Sequence, residues 1–217
     1  GQTIGNPSVV SPRETPRLLD YHLAKAHTVE ANRVLDVYYP KRNFGREGVN
    51  YMMSVVMGGQ CDIDNIHSCR LIDLDLTAFS NRWRGPRYGI EGIRKIINVY
   101  GRPLFGGIIK PKIGLSPQGI ADVCKEMADG GIDFIKEDEI LADQEWCSMR
   151  ARIQLVEKAL RRYGVIYAPC ITGDGKEILH KARVAREFGA SAIHLNIWCS
   201  LGAYHELRNR VNLPIFF

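Results

Sequence analysis

The sequence lacks several patterns that define familiar protein classes. None of its six cysteines stands in a C-x-x-C pair, which argues against a zinc ribbon or a thioredoxin-like redox motif. No apolar run approaches the roughly 20 residues that a membrane-spanning helix needs. Residues 1–10 contain no basic stretch followed by an apolar one, so no secretory signal is expected. These absences favour a cytoplasmic protein with reduced cysteines.

The charge has no strong bias of sign or position. The chain carries 29 basic and 24 acidic residues, for a net charge of +5. Nucleic-acid binders usually concentrate basic residues on one face or in one run. The densest basic cluster here, Lys158–Arg162, lies at the end of a predicted helix, where basic side chains are common. We therefore expect neither nucleic acid nor a membrane as a partner.

The first hundred residues mix strand and helix patterns. Arg33–Pro40 is typical of a strand, and Val49–Met57 favours a helix that ends at two glycines. Cys69–Leu76 alternates polar and apolar side chains, which predicts a half-buried strand. Apolar residues at helical spacing predict an amphipathic helix over Gly89–Tyr100.

From residue 104 onwards, apolar strands alternate with amphipathic helices, as in repeated βα units. Ser116 followed by Pro117 predicts one helix start, and Asp174 with Glu177 predicts another through a capping box. A doubly wound open sheet and an eight-fold barrel both fit this pattern. The glycine fingerprint of a dinucleotide fold is absent after the first of these strands. The predicted strands are Leu104–Ile109, Ile132–Ile135, Val165–Ile171, Ala192–Trp198 and Leu213–Phe217.

Charged residues follow the first two strands of this series. Lys110 and Lys112 end the first strand, and the run Lys136–Glu139 ends the second. Functional groups gather at the carboxyl ends of strands in both architectures. Because side chains alternate along a strand, Lys110 and Lys112 share one face, as do Lys136 and Asp138. We therefore expect these side chains to lie close together at the carboxyl end of the strands, which we call the mouth of the site.

Two chemical interpretations of this cluster are open. Asp138 and Glu139 offer hard oxygen ligands suited to Mg²⁺. Lys136 would repel the ion as an ammonium group, and it could join only if it were neutral or carbamylated by CO₂. Such a metal would polarise a substrate carbonyl, and a neighbouring lysine would carry the proton that leaves. The alternative is that the same residues form a solvent-exposed charged loop with no catalytic role.

Longer stretches of the chain resemble the large subunit of RuBisCO and its relatives, over about residues 33–217. The resemblance implies an α/β fold class. An α+β N-terminal domain would occupy residues 1–100, and about five strands of a (β/α)₈ TIM barrel would occupy residues 101–217. The segments that carry the resemblance are Tyr100–Pro117, Gly130–Glu139, Arg84–Lys95, Val49–Gly59 and Leu71–Leu76.

The resemblance also implies an active site. The family's carbamylated lysine falls on Lys136, and its other two metal ligands fall on Asp138 and Glu139. Its enolisation lysine falls on Lys110, and a second active-site lysine that contacts substrate falls on Lys112. The implied cofactors are Mg²⁺ and CO₂ as the carbamate. The implied partner is a second copy of the chain, in a homodimer whose active sites lie at the subunit interface.

Departures from the carboxylase pattern indicate a branch within the family. Gly58 stands where carboxylases have an asparagine, and Ile108 stands where they have a substrate-contacting threonine. Asn196 replaces an aspartate and is assigned to substrate binding. Asn196 and the segment Ile140–Asp143 are similar to the RuBisCO-like (form IV) branch. The metal and enolisation chemistry is therefore expected to be retained, while the carboxylation apparatus is altered.

Three functions follow from this reading. The favoured one is a lyase or isomerase that enolises or isomerises a phosphorylated keto-sugar or sugar acid. The second is a genuine ribulose-1,5-bisphosphate carboxylase/oxygenase, and the third is a non-catalytic interaction protein that retains the fold. An eight-fold barrel cannot close with five strands, so we expect residues 1–217 to be an internal part of a longer protein.

Overall fold

The computed structural model describes residues 16–30, 33–59 and 67–217. Cys61 lies outside the described residues. The chain forms two compact units that divide between Trp83 and Arg84. This division lies ahead of the boundary expected at residue 100, because the helix Gly89–Ile97 packs within the second unit. In the described part of the chain, no helix is long and apolar enough to cross a bilayer.

The first unit contains a two-stranded antiparallel sheet and short helices. β1 and β2 pair with Lys25 opposite Tyr38. The strand and the helix predicted over residues 33–40 and 49–57 are both confirmed, with slightly shorter bounds for the strand. The elements are α1 Pro16–His22, β1 Lys25–Glu30, β2 Val34–Tyr38, a 3-10 turn Lys41–Asn43, α2 Val49–Met57 and a 3-10 turn Thr77–Phe79.

The strand predicted over Cys69–Leu76 is wrong, since this segment has no regular secondary structure. Asp73 Oδ1 accepts a hydrogen bond from the backbone N–H of Leu74 at 2.7 Å. Asp75 Oδ1 accepts one from the backbone N–H of Thr77 at 2.9 Å. Local bonds of this kind satisfy backbone donors that a strand ladder would otherwise use. The alternating pattern is thus overridden by the two aspartates within it.

The second unit alternates strands and helices in chain order. β3 pairs with β4 and β4 with β5, β6 pairs with β7, and all three pairings are parallel. A bridge between Cys170 and His194 joins the β5 and β6 segments. Sequential parallel strands are the order of a (β/α) barrel rather than of a doubly wound sheet. The elements are α3 Gly89–Ile97, β3 Gly106–Ile108, α4 Pro117–Asp129, β4 Phe134–Lys136, α5 Met149–Leu160, β5 Ile166–Ala168, α6 Gly175–Glu187, β6 Ile193–His194, a 3-10 turn Ile197–Cys199, α7 Leu201–Arg210 and β7 Ile215–Phe216.

The predicted helix starts are formed by the expected side chains. Ser116 Oγ accepts a hydrogen bond from the backbone N–H of Gly119 at 3.1 Å, and Asp174 and Glu177 form a reciprocal capping box. The intervening helix, α5, begins at Met149, because Ser148 caps its first turn. Trp146 therefore lies before the helix, and it is about half exposed.

The two faces of the strands bury different partners. Side chains on one face pack beneath the helices in the main core, including Ile135, Tyr167 and Ile193. The opposite face carries a second, smaller cluster, which α3 covers. It consists of Ile166, Ala168 and Ala192, with Phe134, Phe216, Ile93 and Ile97 packed against them. Because side chains alternate, Lys136 lies on the same face of β4 as Phe134, above this second cluster.

Two adjacent glycines let β3 lie close to its neighbours. A Cβ atom at Gly106 would overlap the ring of Phe134, and one at Gly107 would overlap the side chains of Met127 and Ile132. At each glycine, a larger neighbouring side chain occupies the space that a Cβ atom would need. The backbone that leads to Lys110 therefore packs directly against these neighbours.

Glu157 is a partly buried carboxyl group on α5. Burial raises the pKa of Glu157 to about 7, while a backbone hydrogen bond with Ser191 opposes the shift. Within the residues that the structure describes, Oε1 of Glu157 is the buried side-chain oxygen that lacks a hydrogen-bond partner. The folded protein therefore holds this proton more tightly than the unfolded chain does.

We expect Glu157→Gln to change how stability depends on pH. A carboxyl group with a raised pKa stabilises the fold in its protonated form. This contribution to the free energy of unfolding is fully present below the ordinary pKa of 4.5 and is lost as the pH rises to about 7. The variant should remove this decline and gain up to about 3 kcal/mol over the wild type at alkaline pH. Urea unfolding between about pH 4 and pH 8 measures the difference, with the exposed Glu187→Gln as the matched control. Parallel curves for Glu157→Gln and the wild type would contradict the assignment.

Candidate active site

Charged side chains from two neighbouring strands meet where those strands end. Lys110 Nζ donates a hydrogen bond to Asp138 Oδ2 at 2.6 Å, and Lys112 Nζ lies 4.0 Å from the same oxygen. Asp138 is buried, whereas both lysine side chains are about half exposed, at 52% and 55%. The convergence predicted from alternation along the strands is thus present. The two ammonium groups face solvent over a buried carboxylate.

Lys136 and Glu139 lie beside this group. Lys136 Nζ is 3.7 Å from Glu139 Oε2 and forms a hydrogen bond with His194 Nε2 at 3.0 Å. The Lys136 side chain is only 14% exposed, while that of Glu139 is 42% exposed. The buried end of the site therefore holds Lys136 and His194, and Glu139 stands at the edge that solvent reaches.

Hydrogen bonds and neighbouring charges lower the pKa of both carboxyl groups. Burial by itself raises the pKa of Asp138, but hydrogen bonds from Lys110 and the Ile140 N–H, together with the charges of the two lysines, lower it overall. For Glu139, a hydrogen bond from its own backbone N–H lowers the pKa against the repulsion from Asp138. The site thus presents two anionic oxygen donors among cations.

Hydrogen bonds fix the orientation of the His194 ring. Nδ1 lies 3.3 Å from the carbonyl oxygen of Phe216, which can only accept a hydrogen bond, so Nδ1 carries the proton. Nε2 is then left as the acceptor for Lys136. Burial lowers the pKa of His194, and the positive charge of Lys136 lowers it further. The imidazole is therefore a neutral, oriented acceptor.

His194 is a residue that the sequence interpretation missed. It is the last residue of β6, two residues before Asn196. In the strand predicted over Ala192–Trp198, the two side chains would share one face. That spacing was the signal available in the sequence. Asn196 Oδ1 accepts a hydrogen bond from the Trp198 N–H at 3.0 Å and so caps the 3-10 turn that follows β6. Its assignment to substrate binding stays a prediction.

Behind the site, Glu137 points into the protein core. Arg152 Nε and Nη2 donate to its two carboxylate oxygens at 2.6 and 3.0 Å. The backbone N–H of Cys170 donates to Oε2 at 2.7 Å, and the Tyr167 hydroxyl donates to Oε1. Glu137, Arg152 and Tyr167 are fully buried. We call these three side chains the anchor.

The anchor explains why the Lys136–Glu139 run is not a solvated loop. Glu137 occupies the opposite face of the strand from Lys136 and Asp138, and α5 and β5 hold it there. Arg152 also donates to the carbonyl oxygens of Cys147 and Ala142. The segment that follows the strand is therefore fixed to the same guanidinium group. Sequence reasoning identified neither Arg152 nor Tyr167, because nothing local links them to Glu137.

A cysteine lies in the loop after β5, beside the candidate site. Cys170 is fully buried, and its Sγ lies 3.3 Å from Thr172 Oγ1 and 3.5 Å from the carbonyl oxygen of Glu139. Burial raises the pKa of the Cys170 thiol. A buried thiol with a raised pKa is a poor nucleophile, so Cys170 has a packing role.

The departures from the carboxylase pattern have clear structural settings. Ile108 is paired with Lys136 in the parallel ladder and is 43% exposed, so an apolar side chain stands at this position near the lysine. In the first unit, Gly58 follows α2, and its N–H donates to the Ser54 carbonyl oxygen at 2.8 Å. A Cβ atom at Gly58 would overlap that oxygen. The backbone there is arranged for glycine rather than for asparagine.

The donor set fits a divalent cation only if Lys136 changes its chemistry. Within residues 16–30, 33–59 and 67–217, no three His, Cys, Asp or Glu side chains form a group able to hold a metal ion. Asp138 and Glu139 supply two carboxylates, and the third nearby group is the Lys136 amine. A carbamate on that amine would add two oxygens and reverse its charge, which matches the hard-ligand preference of Mg²⁺.

We expect the second unit to lose stability when one partner of the anchor is removed. Arg152→Met leaves the buried Glu137 charge without its partner and should cost about 3–5 kcal/mol of unfolding free energy. Tyr167→Phe removes one hydrogen bond to the buried Glu137 carboxylate and should cost about 1.5–3 kcal/mol. Urea unfolding of the full-length protein measures both. The exposed Arg161→Met, at the end of α5, is the control. Equal losses for Arg152→Met and Arg161→Met would refute the role of the anchor.

Comparisons with known proteins agree with this geometry. Residues 89–213 match the family model of the ribulose bisphosphate carboxylase large chain, catalytic domain. The chain is 36% identical over 190 residues to a 3-oxo-isoapionate-4-phosphate transcarboxylase/hydrolase of Xanthobacter autotrophicus, across 84% of this chain and 46% of that protein. It is 33% identical over 207 residues to a ribulose bisphosphate carboxylase-like protein of Chlorobaculum tepidum, across 91% and 47%.

Solved structures share the same fold. A dimeric archaeal Rubisco from Hyperthermus butylicus matches with a TM-score of 0.86 at 25% identity, across 99% of this chain and 53% of that one. The chain spans about half the length of the curated relatives that it matches. The barrel order of the strands, the match to the catalytic-domain model and the relatives named above agree. The chain therefore belongs to the ribulose bisphosphate carboxylase large-chain family, among relatives that include the RuBisCO-like proteins.

Proposed function

We propose that this chain forms part of a RuBisCO-like lyase or isomerase that uses Mg²⁺ to enolise or isomerise a phosphorylated keto-sugar or sugar acid. The observation that carries the proposal is the meeting of Lys110 and Lys112 at Asp138, next to Lys136 and Glu139. Two cations and two carboxylates at the ends of adjacent strands suit a reaction that moves a proton beside an anionic substrate.

In this proposal, Asp138, Glu139 and a carbamate on Lys136 hold the metal. The neutral amine of Lys136 attacks CO₂, one C–N bond forms, and one proton leaves the nitrogen for water. The bound ion would polarise the substrate carbonyl and so make the neighbouring C–H more acidic. Support comes from the proximity of Lys136 Nζ to Glu139 Oε2, at 3.7 Å, and from the lowered pKa of both carboxyl groups.

The two lysines of the β3 segment have separate roles. We assign proton transfer at the substrate carbon to Lys110, because its Nζ is exposed at the mouth while hydrogen-bonded to Asp138. Lys112 keeps its charge further from that carboxylate, at 4.0 Å, and is assigned to the oxyanion that develops on the substrate. Both lysines also attract an anionic substrate to the mouth.

The substrate class rests on a relative and on the charge of the site. The name of the Xanthobacter relative specifies a phosphorylated oxo acid. Such a compound has the carbonyl that enolisation requires and the anionic groups that exposed lysines attract. We extend this class to the present chain without choosing one compound within it.

The remaining parts of the proposal concern assembly and compartment. A homodimer with its active sites at the subunit interface is supported by the dimeric archaeal Rubisco of the same fold. A cytoplasmic location is supported by the five cysteines in the described ranges, all of which are free thiols.

We expect Lys136→Ala to abolish Mg²⁺-dependent exchange of the substrate α-proton, because the third metal ligand is lost. Proton NMR in D₂O, with a panel of ketose phosphates and phosphorylated oxo acids, measures the exchange. The exposed Lys125→Ala on α4 is the matched control and should exchange at the wild-type rate. Unchanged exchange in Lys136→Ala would remove this residue from the mechanism.

A genuine carboxylase is the competing function, favoured by the shared strand-end motif and the Rubisco fold. Gly58 and Ile108 argue against it. Incubation of the full-length protein with labelled CO₂, Mg²⁺ and ribulose 1,5-bisphosphate should therefore give no acid-stable labelled product. Labelled product at a rate comparable to that of a known carboxylase would reverse the order of the two functions. Failure to bind Mg²⁺ in the presence of CO₂ would instead favour a non-catalytic interaction protein.

A further inference from the structure

The hydrogen bond between Lys136 and His194 has no part in the mechanism proposed above. Its length is 3.0 Å, and it links β4 to β6 across the face of the sheet. Glu139 Oε2, the acidic oxygen paired with Lys136, lies at 3.7 Å, which is too far for a hydrogen bond. His194 Nε2 is thus the acceptor that holds the lysine nitrogen at the buried end of the site.

His194 is itself rigidly held. Its backbone N–H donates to the Pro169 carbonyl oxygen at 2.9 Å, and its own carbonyl accepts from the Ile171 N–H at 2.9 Å. On the other side, it pairs with Phe216 of β7, whose carbonyl oxygen also accepts the hydrogen bond from Nδ1–H. The residue is 1% exposed. The direction of the Nε2 lone pair is therefore set by the backbone of two neighbouring strands.

We propose that His194 is a positioning residue for the modified form of Lys136. The inference rests on the proposed function, in which this lysine reacts with CO₂. A carbamate nitrogen retains one N–H, which lies in the plane of the added carboxylate because the C–N bond has partial double-bond character, as in a peptide. An acceptor that fixes the N–H direction also fixes that plane. His194 Nε2 directs the N–H toward itself and the new oxygens away from itself.

A neutral acceptor suits this role better than an anionic one. A carboxylate at the position of Nε2 would stabilise the ammonium form of Lys136, which has no lone pair with which to attack CO₂. It would also repel the carbamate once formed. The neutral imidazole accepts the hydrogen bond at Nε2 without adding negative charge. Its proton is on Nδ1, which donates to the Phe216 carbonyl oxygen.

The test measures the modification itself rather than the reaction that it supports. Purified full-length protein is equilibrated with ¹³C-labelled CO₂, the carbamate is trapped by ethylation, and the peptide containing Lys136 is quantified by mass spectrometry. His194→Met removes the acceptor at similar volume. His194→Gln keeps an amide oxygen near the position of Nε2. His180→Met, on the exposed side of α6, is the matched control.

We expect His194→Met to lower trapped carbamate at a given CO₂ pressure by about tenfold, the scale of one lost hydrogen bond to a charged group. His194→Gln should recover most of the loss, and His180→Met should match the wild type. Rescue by the glutamine variant separates positioning from a general loss of folding, because both variants remove the same ring. Melting temperatures of all variants check that the fold is retained.

The failure of this inference differs from the failure of the proposed function. Wild-type trapping with an equal yield in His194→Met would overturn the role of His194 and leave the metal site standing. Equal losses in the Met and Gln variants would also overturn it, because the hydrogen-bond acceptor would then not matter. No trapped carbamate in the wild type, at any CO₂ pressure that saturates a known carbamylated enzyme, would overturn both proposals together.

Discussion

The candidate site depends on the ion pair between Glu137 and Arg152, both fully buried. A run of four charged residues at a strand end would normally face water. Here the second of the four is drawn into the core, where a bidentate guanidinium, a tyrosine hydroxyl and a backbone N–H satisfy it. Burying such a pair adds little net stability unless every partner is present. Its effect is to fix which way the strand end faces, so that Lys136 and Asp138 point together toward the mouth.

Much of this arrangement could be predicted from the sequence, because local rules control it. Ser116 and the pair Asp174–Glu177 cap their helices as expected, and alternation brings Lys110 to Asp138. The failures arise where tertiary or very local contacts override the pattern. Two aspartates divert the backbone over residues 69–76 into side-chain hydrogen bonds. The partners of Glu137 and Lys136 lie on other strands and helices, and no local pattern in one sequence pairs residues so far apart.

The proposed function separates the residues into two groups. Those proposed to bind a cation and to move a proton lie together in the second unit. The positions where a carboxylase contacts the added CO₂ and the substrate are occupied by Gly58, whose backbone leaves no room for a side chain, and by the apolar Ile108. Under the proposed function, the first reaction step would be shared with the carboxylases and the later steps would differ. Specificity would then depend on residues that surround the carboxylates and lysines.

The two glycines of β3 leave space that neighbouring side chains fill. An aromatic ring packs against the strand at Gly106, and aliphatic side chains pack against it at Gly107. The ring belongs to Phe134, which is paired with Gly106 in the parallel ladder and lies two residues before Lys136. Any residue larger than glycine at position 106 would have to displace this ring, so the requirement for glycine at one strand comes from a side chain on the next.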